Sequence, residues 1–219
     1  MELIKDKIWC IKNLTFPSNT YLLKDDGSDS CLIIDPGLDS DLLDKAVTLR
    51  NLNPIAILAT HGHFDHIGSV AYFKEKYDIP FYLHEADLKL SRSANFFIKM
   101  ARIKSSIEIP IPDLILNQKT QSLFIGNFSL EITNYPGHSF GSCIIQSGKY
   151  LFSGDILYKK GLGFNNFPGE DKEKLKTSIK EIFASYSDDC LVLPGHGESE
   201  RLVAIKSQNI ELKKFLAIT

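Results

Sequence analysis

The all-apolar run Ile55-Ala56-Ile57-Leu58-Ala59 is followed, after Thr60 alone, by His61-Gly62-His63-Phe64-Asp65-His66. This juxtaposition constrains the fold more than any other feature of the chain. A short run without a polar face reads as a strand buried on both sides, in a sheet covered by helices. The histidine loop then stands at the carboxyl end of that strand, where α/β sheets gather ligand sites on loops projecting from a rigid scaffold. Imidazole is the commonest protein ligand for borderline-soft metals and carboxylate is its hard oxygen partner. Three imidazoles and a carboxylate in one turn therefore point to a metal centre rather than to a solvated polar loop.

Three further candidates recur in the same setting, each after an apolar run and each beside glycine: Pro136-Gly137-His138, Ser153-Gly154-Asp155 and Pro194-Gly195-His196. Glycine next to a ligand lets the backbone turn sharply and approach a metal closely. Any one of them alone reads as a turn; with the first motif they complete a set of seven ligands. His61, His63 and His138 would serve one ion, Asp65, His66 and His196 a second, and Asp155 would bridge them. Two ions ~3.5–4 Å apart together lower the pKa of a shared water and polarise a carbonyl, which gives a nucleophile at neutral pH. Two zinc ions are expected, with iron or manganese as alternatives, because His/Asp sites do not select by affinity alone. The sixth histidine, His84, ends the apolar run Phe81-Tyr82-Leu83 and reads as a structural or pocket-wall residue, since the ligand set is complete without it.

The remaining pattern predicts one α/β domain over 1–219. At 219 residues a single substantial core is expected. Strands are predicted at 8–11, 20–23, 31–34, 55–59, 80–83, 114–116, 122–125, 128–135, 143–145, 150–152 and 191–193. Helices are predicted from Asp39 to about Leu49, Gly68 to Tyr77, within 85–102, Lys172 to Tyr186 and Ser207 to Leu216. Prolines 110 and 112 make 107–112 a connector. Two strand-then-helix halves of this kind form an αββα sandwich. A net charge of -2 offers no basic field for nucleic acid or anionic lipid. The expected partner is a small-molecule substrate, with neither nucleic acid nor membrane and with oligomeric state open. Charges at the N-terminus, where a signal peptide needs an apolar run, lead to the expectation of a soluble, cytoplasmic protein. Cys10, Cys31, Cys143 and Cys190 lie far apart in or beside apolar runs, as buried reduced thiols do.

Taken together, the segment from Thr60 to His66, Gly137-His138, Gly154-Asp155 and Gly195-His196, in this order and on this strand pattern, resembles the metallo-β-lactamase superfamily. The likeness is strongest to its short, glyoxalase II-like (hydroxyacylglutathione hydrolase-like) members. It extends to Asp35-Pro36-Gly37, similar to the family's aspartate turn, and so implies that Asp35 steadies the metal loop. It also implies a dinuclear hydrolase of a thioester or related activated ester, with Asp65 orienting the hydroxide nucleophile as a ligand. The alternatives within the same fold are a mononuclear-iron persulfide dioxygenase using His61, His138 and Asp155, and a lactonase-type hydrolase. The stretch Gly154 to Gly169 resembles the glyoxalase II signature, with one departure. Phe164 stands where the family usually has Lys or Arg to bind glutathione, and Phe makes no charge-assisted hydrogen bond. Phe164, Lys159, Lys160 and His84 are the candidate pocket residues, the two lysines reading more readily as solubilising surface groups.

Overall fold

The computed structural model describes residues 2–5, 7–164 and 169–217. The first half is built of β1 (Glu2–Lys5), β2 (Ile8–Lys12), β3 (Asn19–Lys24), β4 (Ser30–Ile34), α1 (Ser40–Thr48), β5 (Asn53–Leu58), α2 (Phe64–Ile67), α3 (Val70–Tyr77) and β6 (Phe81–His84). A short 3-10 turn (Glu85–Asp87), α4 (Leu88–Arg92), α5 (Ala94–Met100) and β7 (Leu114–Leu116) complete it. The second half comprises β8 (Thr120–Ile125), β9 (Phe128–Asn134), β10 (Cys143–Ser147), β11 (Tyr150–Gly154), α6 (Lys172–Ser185), β12 (Leu191–Pro194), β13 (Glu200–Arg201), α7 (Leu202–Gln208) and α8 (Ile210–Ala217). The strands form a seven-stranded sheet in the order β1-β2-β3-β4-β5-β6-β7 and a six-stranded sheet in the order β13-β12-β11-β10-β9-β8.

Alternation along the strands explains the four layers. In β4, Cys31 and Ile33 face one core while Leu32 and Ile34 face another, and Ile57 and Ala56 divide in the same way in β5. The first core lies under α1, α3 and α5, which contribute Leu43, Val47, Phe73 and Ile98. The second lies between the sheets, where Tyr21 meets Phe152 edge to face with ring centroids 5.3 Å apart. The third packs Leu175, Ile179 and Ile182 of α6, with Leu202 and Phe215 of the last two helices, on the outer face of the second sheet. Burial on both faces accounts for the unbroken apolar runs. The expected αββα sandwich is the observed one.

Strand direction, not sequence proximity, gathers the site. β4, β5, β6 and β7 run parallel, so the ends of β4, β5 and β6 share one edge of the first sheet. In the second sheet β9 and β11 are both antiparallel to β10, and β12 is parallel to β11. Their carboxyl ends, followed by His138, Asp155 and His196, therefore also share one edge. Tyr21 and Asn19 of β3 donate hydrogen bonds to the Pro194 carbonyl at 2.6 and 2.9 Å, clamping the two sheets together just before His196.

Three helical boundaries differ from the pattern-based expectation. A separate turn of helix, α2, lies inside the histidine motif and carries Asp65 and His66, and α3 begins only at Val70. The helical region after His84 is divided into the 3-10 turn, α4 and α5. The single closing helix expected from Ser207 is interrupted at Asn209, whose side chain accepts from Leu212 N at 3.0 Å as a cap on α8 and donates to the Tyr158 and Gly161 carbonyls at 3.0 and 2.9 Å. An asparagine with such local and tertiary partners competes with the helix it interrupts. All four cysteines are buried and unpaired. Among the described residues no helix is long and apolar enough to cross a membrane.

Candidate metal centre

Asp35 and Thr60 organise the first loop. Asp35 adopts a left-handed backbone (φ 53°) and accepts from Thr60 N through Oδ1 and from Thr60 Oγ1 through Oδ2, each at 2.7 Å. The same Oδ2 lies 3.0 Å from His66 Nδ1. A carboxylate on the far nitrogen of an imidazole fixes its tautomer and leaves Nε2 to act as a ligand. In the same way His138 Nδ1 lies 2.9 Å from the Gly163 carbonyl, and His196 Nδ1 lies against the Pro17 carbonyl.

The seven side chains singled out from the sequence converge. Ligand atoms fall into three groups, each within 4.8 Å: His61, His63 and His138; His61, His66 and Asp155; and Asp65, His66 and His196. Asp155 reaches imidazoles of all three groups. Its Oδ2 lies 3.3 Å from His196 Nε2 and 3.6 Å from His138 Nε2, and its Oδ1 lies 3.5 Å from His66 Nε2. Asp65 Oδ2 is 3.2 Å from His196 Nε2 and 3.5 Å from His66 Nε2. Only glycine allows this approach at position 195, where a Cβ would sit 2.1 Å from Asp155 Oδ1 and 2.6 Å from His66 Cε1. His61 and His66 are fully enclosed, whereas the His196 side chain is 29% exposed, which opens the cluster on that side.

Buried His61 Nε2, both ring nitrogens of His66 and Asp155 Oδ1 have no hydrogen-bond partner, and His66 Nδ1 meets Asp35 only as an ion pair at 3.0 Å. Orphaned polar atoms of this kind are rare in folded proteins and demand an explanation. Nitrogen and carboxylate donors turned toward one another fit a divalent cation.

Electrostatics point the same way. Burial, reinforced by the neighbouring histidines, holds His61 well below the usual histidine range, and burial with His138 beside it depresses His63 to about 3. Both are neutral, ligand-ready imidazoles at pH 7. Burial disfavours charge on His66 and His196 too, but surrounding carboxylates outweigh it: Asp65, Asp155 and Asp35 push His66 up to about 9, and Asp155 with Asp65 pushes His196 up to about 11. The partner carboxylates Asp65 and Asp155 are lowered by those imidazoliums against the opposing effect of burial.

Ligation by His66 and His196 would require both to give up those protons, because only neutral imidazole ligates. Metal uptake at pH 7 is therefore expected to release about two protons per chain or more, with affinity rising from pH 6 toward pH 9. Calorimetry of metal binding in buffers of differing ionisation enthalpy measures the release; none at pH 7 would contradict the ligand assignment of His66 and His196.

The candidate pocket residues separate. A cavity of about 230 Å³ adjoins the exposed side of His196 and is lined by Tyr158, Lys159, Lys160, Gly197 and Glu198 as well. Lys159 is paired there with Glu198 at 2.8 Å and Glu200 at 3.4 Å, so its charge is already compensated. Phe164 is turned away: its ring packs against Phe215, centroids 6.3 Å apart, at the edge of the third core. This differs from its expected place in the pocket, and the reason is the apolar face that α8 offers it. Residues 165–168 of the glyoxalase II-like stretch lie outside the described residues. His84, at the end of β6, accepts from Ala86 N at 3.3 Å as a turn cap and belongs to none of the ligand groups. A larger cleft of about 430 Å³ beside Tyr135, Tyr186 and Cys190 touches none of the seven converging side chains.

Pattern reading missed several neighbours of the cluster. Tyr158 stands beside Asp155, and burial together with that carboxylate raises its phenol well above the usual range, which keeps it neutral. Phe97 of α5 lies 6.1 Å from His63, and Phe16 lies 6.4 Å from His196, ring centroid to ring centroid, giving the site aromatic walls. Aromatic residues in apolar or loop segments carry no spacing signal that separates wall from core.

A family model described as the metallo-beta-lactamase superfamily matches residues 14–196, a span that includes all seven converging side chains. The chain belongs to the metallo-β-lactamase superfamily. Within this superfamily it is 36% identical over 203 residues to a probable metallo-hydrolase, YqgX, of Bacillus subtilis, covering 90% of this chain and 93% of that protein. It is 31% identical over 197 residues to the hydroxyacylglutathione hydrolase GloC of Haemophilus influenzae, covering 89% and 92%. A crystal structure of TTHA1623 in a di-iron-bound form superposes with a TM-score of 0.83 at 29% identity, covering 92% of this chain and 98% of that one. The superfamily fold and the His/Asp cluster together imply a divalent metal and the metallo-hydrolase class.

Proposed function

We propose that this metallo-β-lactamase-fold protein hydrolyses a thioester or related activated ester at a centre of two metal ions, zinc by preference and iron or manganese as alternatives. The observation that carries this reading is Asp155, whose two oxygens reach histidines of both halves of the cluster. When bound, two divalent ions in one site lower the pKa of a shared water and polarise a substrate carbonyl. His61, His63 and His138 would hold one, Asp65, His66 and His196 the other, and Asp155 both.

The chain's own contribution is to hold, orient and exclude. Asp65 is ionised and fixed between His66 and His196, so it acts as an orienting acceptor rather than as a free acid. Tyr158, neutral beside Asp155, places a phenol on the rim of the cavity next to His196. Phe97 and Phe16 set apolar rings beside His63 and His196, and the enclosed interior around His61 and His66 strengthens each electrostatic contact within it. Of the carboxyl groups beside the cluster, Asp65 and Asp155 are held ionised, and Glu170 lies 3.6 Å from His138 on the Nδ1 side of its ring. A thiolate leaving group needs little protonation, which favours acyl-thiols over amides and simple esters. The likeness to GloC supports the same class of substrate.

The test is one panel on metal-defined protein: glutathione thioesters, other acyl-thiols, lactones, a β-lactam, and oxygen uptake with glutathione persulfide. Acyl-thiol hydrolysis is expected to exceed the other activities. Oxygen consumption without thioester turnover would replace the hydrolase reading with the dioxygenase one.

A further inference from the structure

Asp87 is a fully buried carboxylate outside the ligand set, 1% exposed, at the end of the 3-10 turn that follows β6. Its two oxygens accept hydrogen bonds from both loops that deliver the first three histidines. Oδ2 accepts from Gly62 N at 2.8 Å, the residue between His61 and His63, and from Ser139 Oγ at 2.7 Å, the residue after His138. Oδ1 accepts from Gly141 N at 2.7 Å. Ser139 is locked in turn by Ser142, whose Oγ lies 2.7 Å from its hydroxyl and accepts from its backbone N–H at 3.0 Å. The fit is close: a Cβ at Gly62 would lie 2.9 Å from the Asp87 carbonyl oxygen, and one at Gly141 would lie 2.7 Å from Asp87 Cγ.

We propose that Asp87 is a positioning residue that sets the geometry and metal affinity of the His61, His63 and His138 half of the centre, as Asp35 serves the His66 half. The proposal rests on the two-ion reading of the site. The division of labour follows from the hydrogen bonds. Asp35 touches Thr60 and His66, on one loop. Asp87 touches no ligand directly, yet it joins the loop of the first sheet to the loop of the second. His63 Nδ1 and His138 Nε2, 2.9 Å apart, are the atoms whose spacing depends on that tie. Carboxylates that orient ligands in this indirect way change metal affinity by ~10–100-fold when replaced.

Asp87→Asn tests the claim with almost no change of volume. The amide presents one NH2 group, and either orientation turns a donor toward a backbone N–H, that of Gly141 or that of Gly62. Cobalt(II) titration of metal-free protein, read by visible absorption, separates the two halves, with His63→Ala marking the step that belongs to the first. Two steps in the unsubstituted protein are expected. Asp87→Asn should weaken the step that His63→Ala removes by ~10–100-fold and leave the other in place, while Asp35→Asn should weaken the other. Ser139→Ala, which removes one donor only, should weaken the first step less, and it keeps the test open should Asp87→Asn fail to fold. Unchanged cobalt steps with a lowered unfolding temperature would make Asp87 a purely structural residue and overturn the proposal, as would equal weakening of both steps. A single step in the unsubstituted protein, removed by His63→Ala and weakened by Asp87→Asn, would end the two-ion reading while sustaining the role of Asp87.

Discussion

Asp155→Ala is expected to empty the centre, leaving less than one tightly held ion per chain after desalting, and to lower kcat by about 10³-fold or more. The magnitude follows from the several kcal/mol that metal-assisted charge stabilisation supplies, at tenfold per ~1.4 kcal/mol. The reason for a loss from both halves is geometric. Asp155 lies within 3.6 Å of His138 and of His196, and within 3.5 Å of His66, so its loss would touch both proposed ion positions. His66→Ala or His196→Ala should instead spare the ion held by His61, His63 and His138. His84→Ala, whose imidazole only caps a turn, should leave metal content unchanged. Elemental analysis of the purified variants decides among these outcomes, and retention of two ions by Asp155→Ala would remove the bridging assignment.

Chelation should lower the unfolding temperature by about 8–16 °C for each site emptied. An ion at about a thousand times its Kd stabilises the folded state by about 4 kcal/mol, and a chain of this length shifts by about 2–4 °C per kcal/mol. Without metal, the imidazoliums and carboxylates of the cluster offset one another's charge, which makes stability pH-dependent. His66 is raised in the folded state to about 9. Its contribution is therefore complete below the unfolded pKa of about 6.5 and is lost as pH rises through 9. Over the same window protons cease to compete with the metal. The gap in unfolding temperature between metal-loaded and metal-free protein should thus widen from pH 6.5 to 9. Thermal denaturation with and without chelator measures it; a gap that narrows would contradict the charge states assigned to the cluster.

The parts legible in the sequence were those with a short-range physical signature. Ile55 to Ala59 announced a doubly buried strand because both of its faces are apolar, and the histidine turn announced a ligand site because four donors fall within six residues. His138, Asp155 and His196 could be added because each follows a strand and a glycine, a pattern that reflects the shared edge formed by β9, β11 and β12. Contacts at long range left no such trace. Asp87 sits in Glu85-Ala86-Asp87, which looks like the polar start of a helix, and its importance comes from Gly62 and Gly141 folding onto it. Phe164 was placed by family analogy where a basic residue contacts substrate, but the ring follows the apolar surface of α8 instead. The break at Asn209 has no local signature because its partners, Tyr158 and Gly161, lie about fifty residues earlier in the chain.

The central claim is that one site holds two ions and uses them for hydrolysis. Titrating metal-free protein with zinc while following acyl-thiol hydrolysis tests it most directly. Turnover is expected to develop fully only as the second equivalent binds, with two ions per chain at saturation. Saturation at one ion per chain, dependent on His61, His138 and Asp155 but indifferent to His66→Ala and His196→Ala, would contradict it.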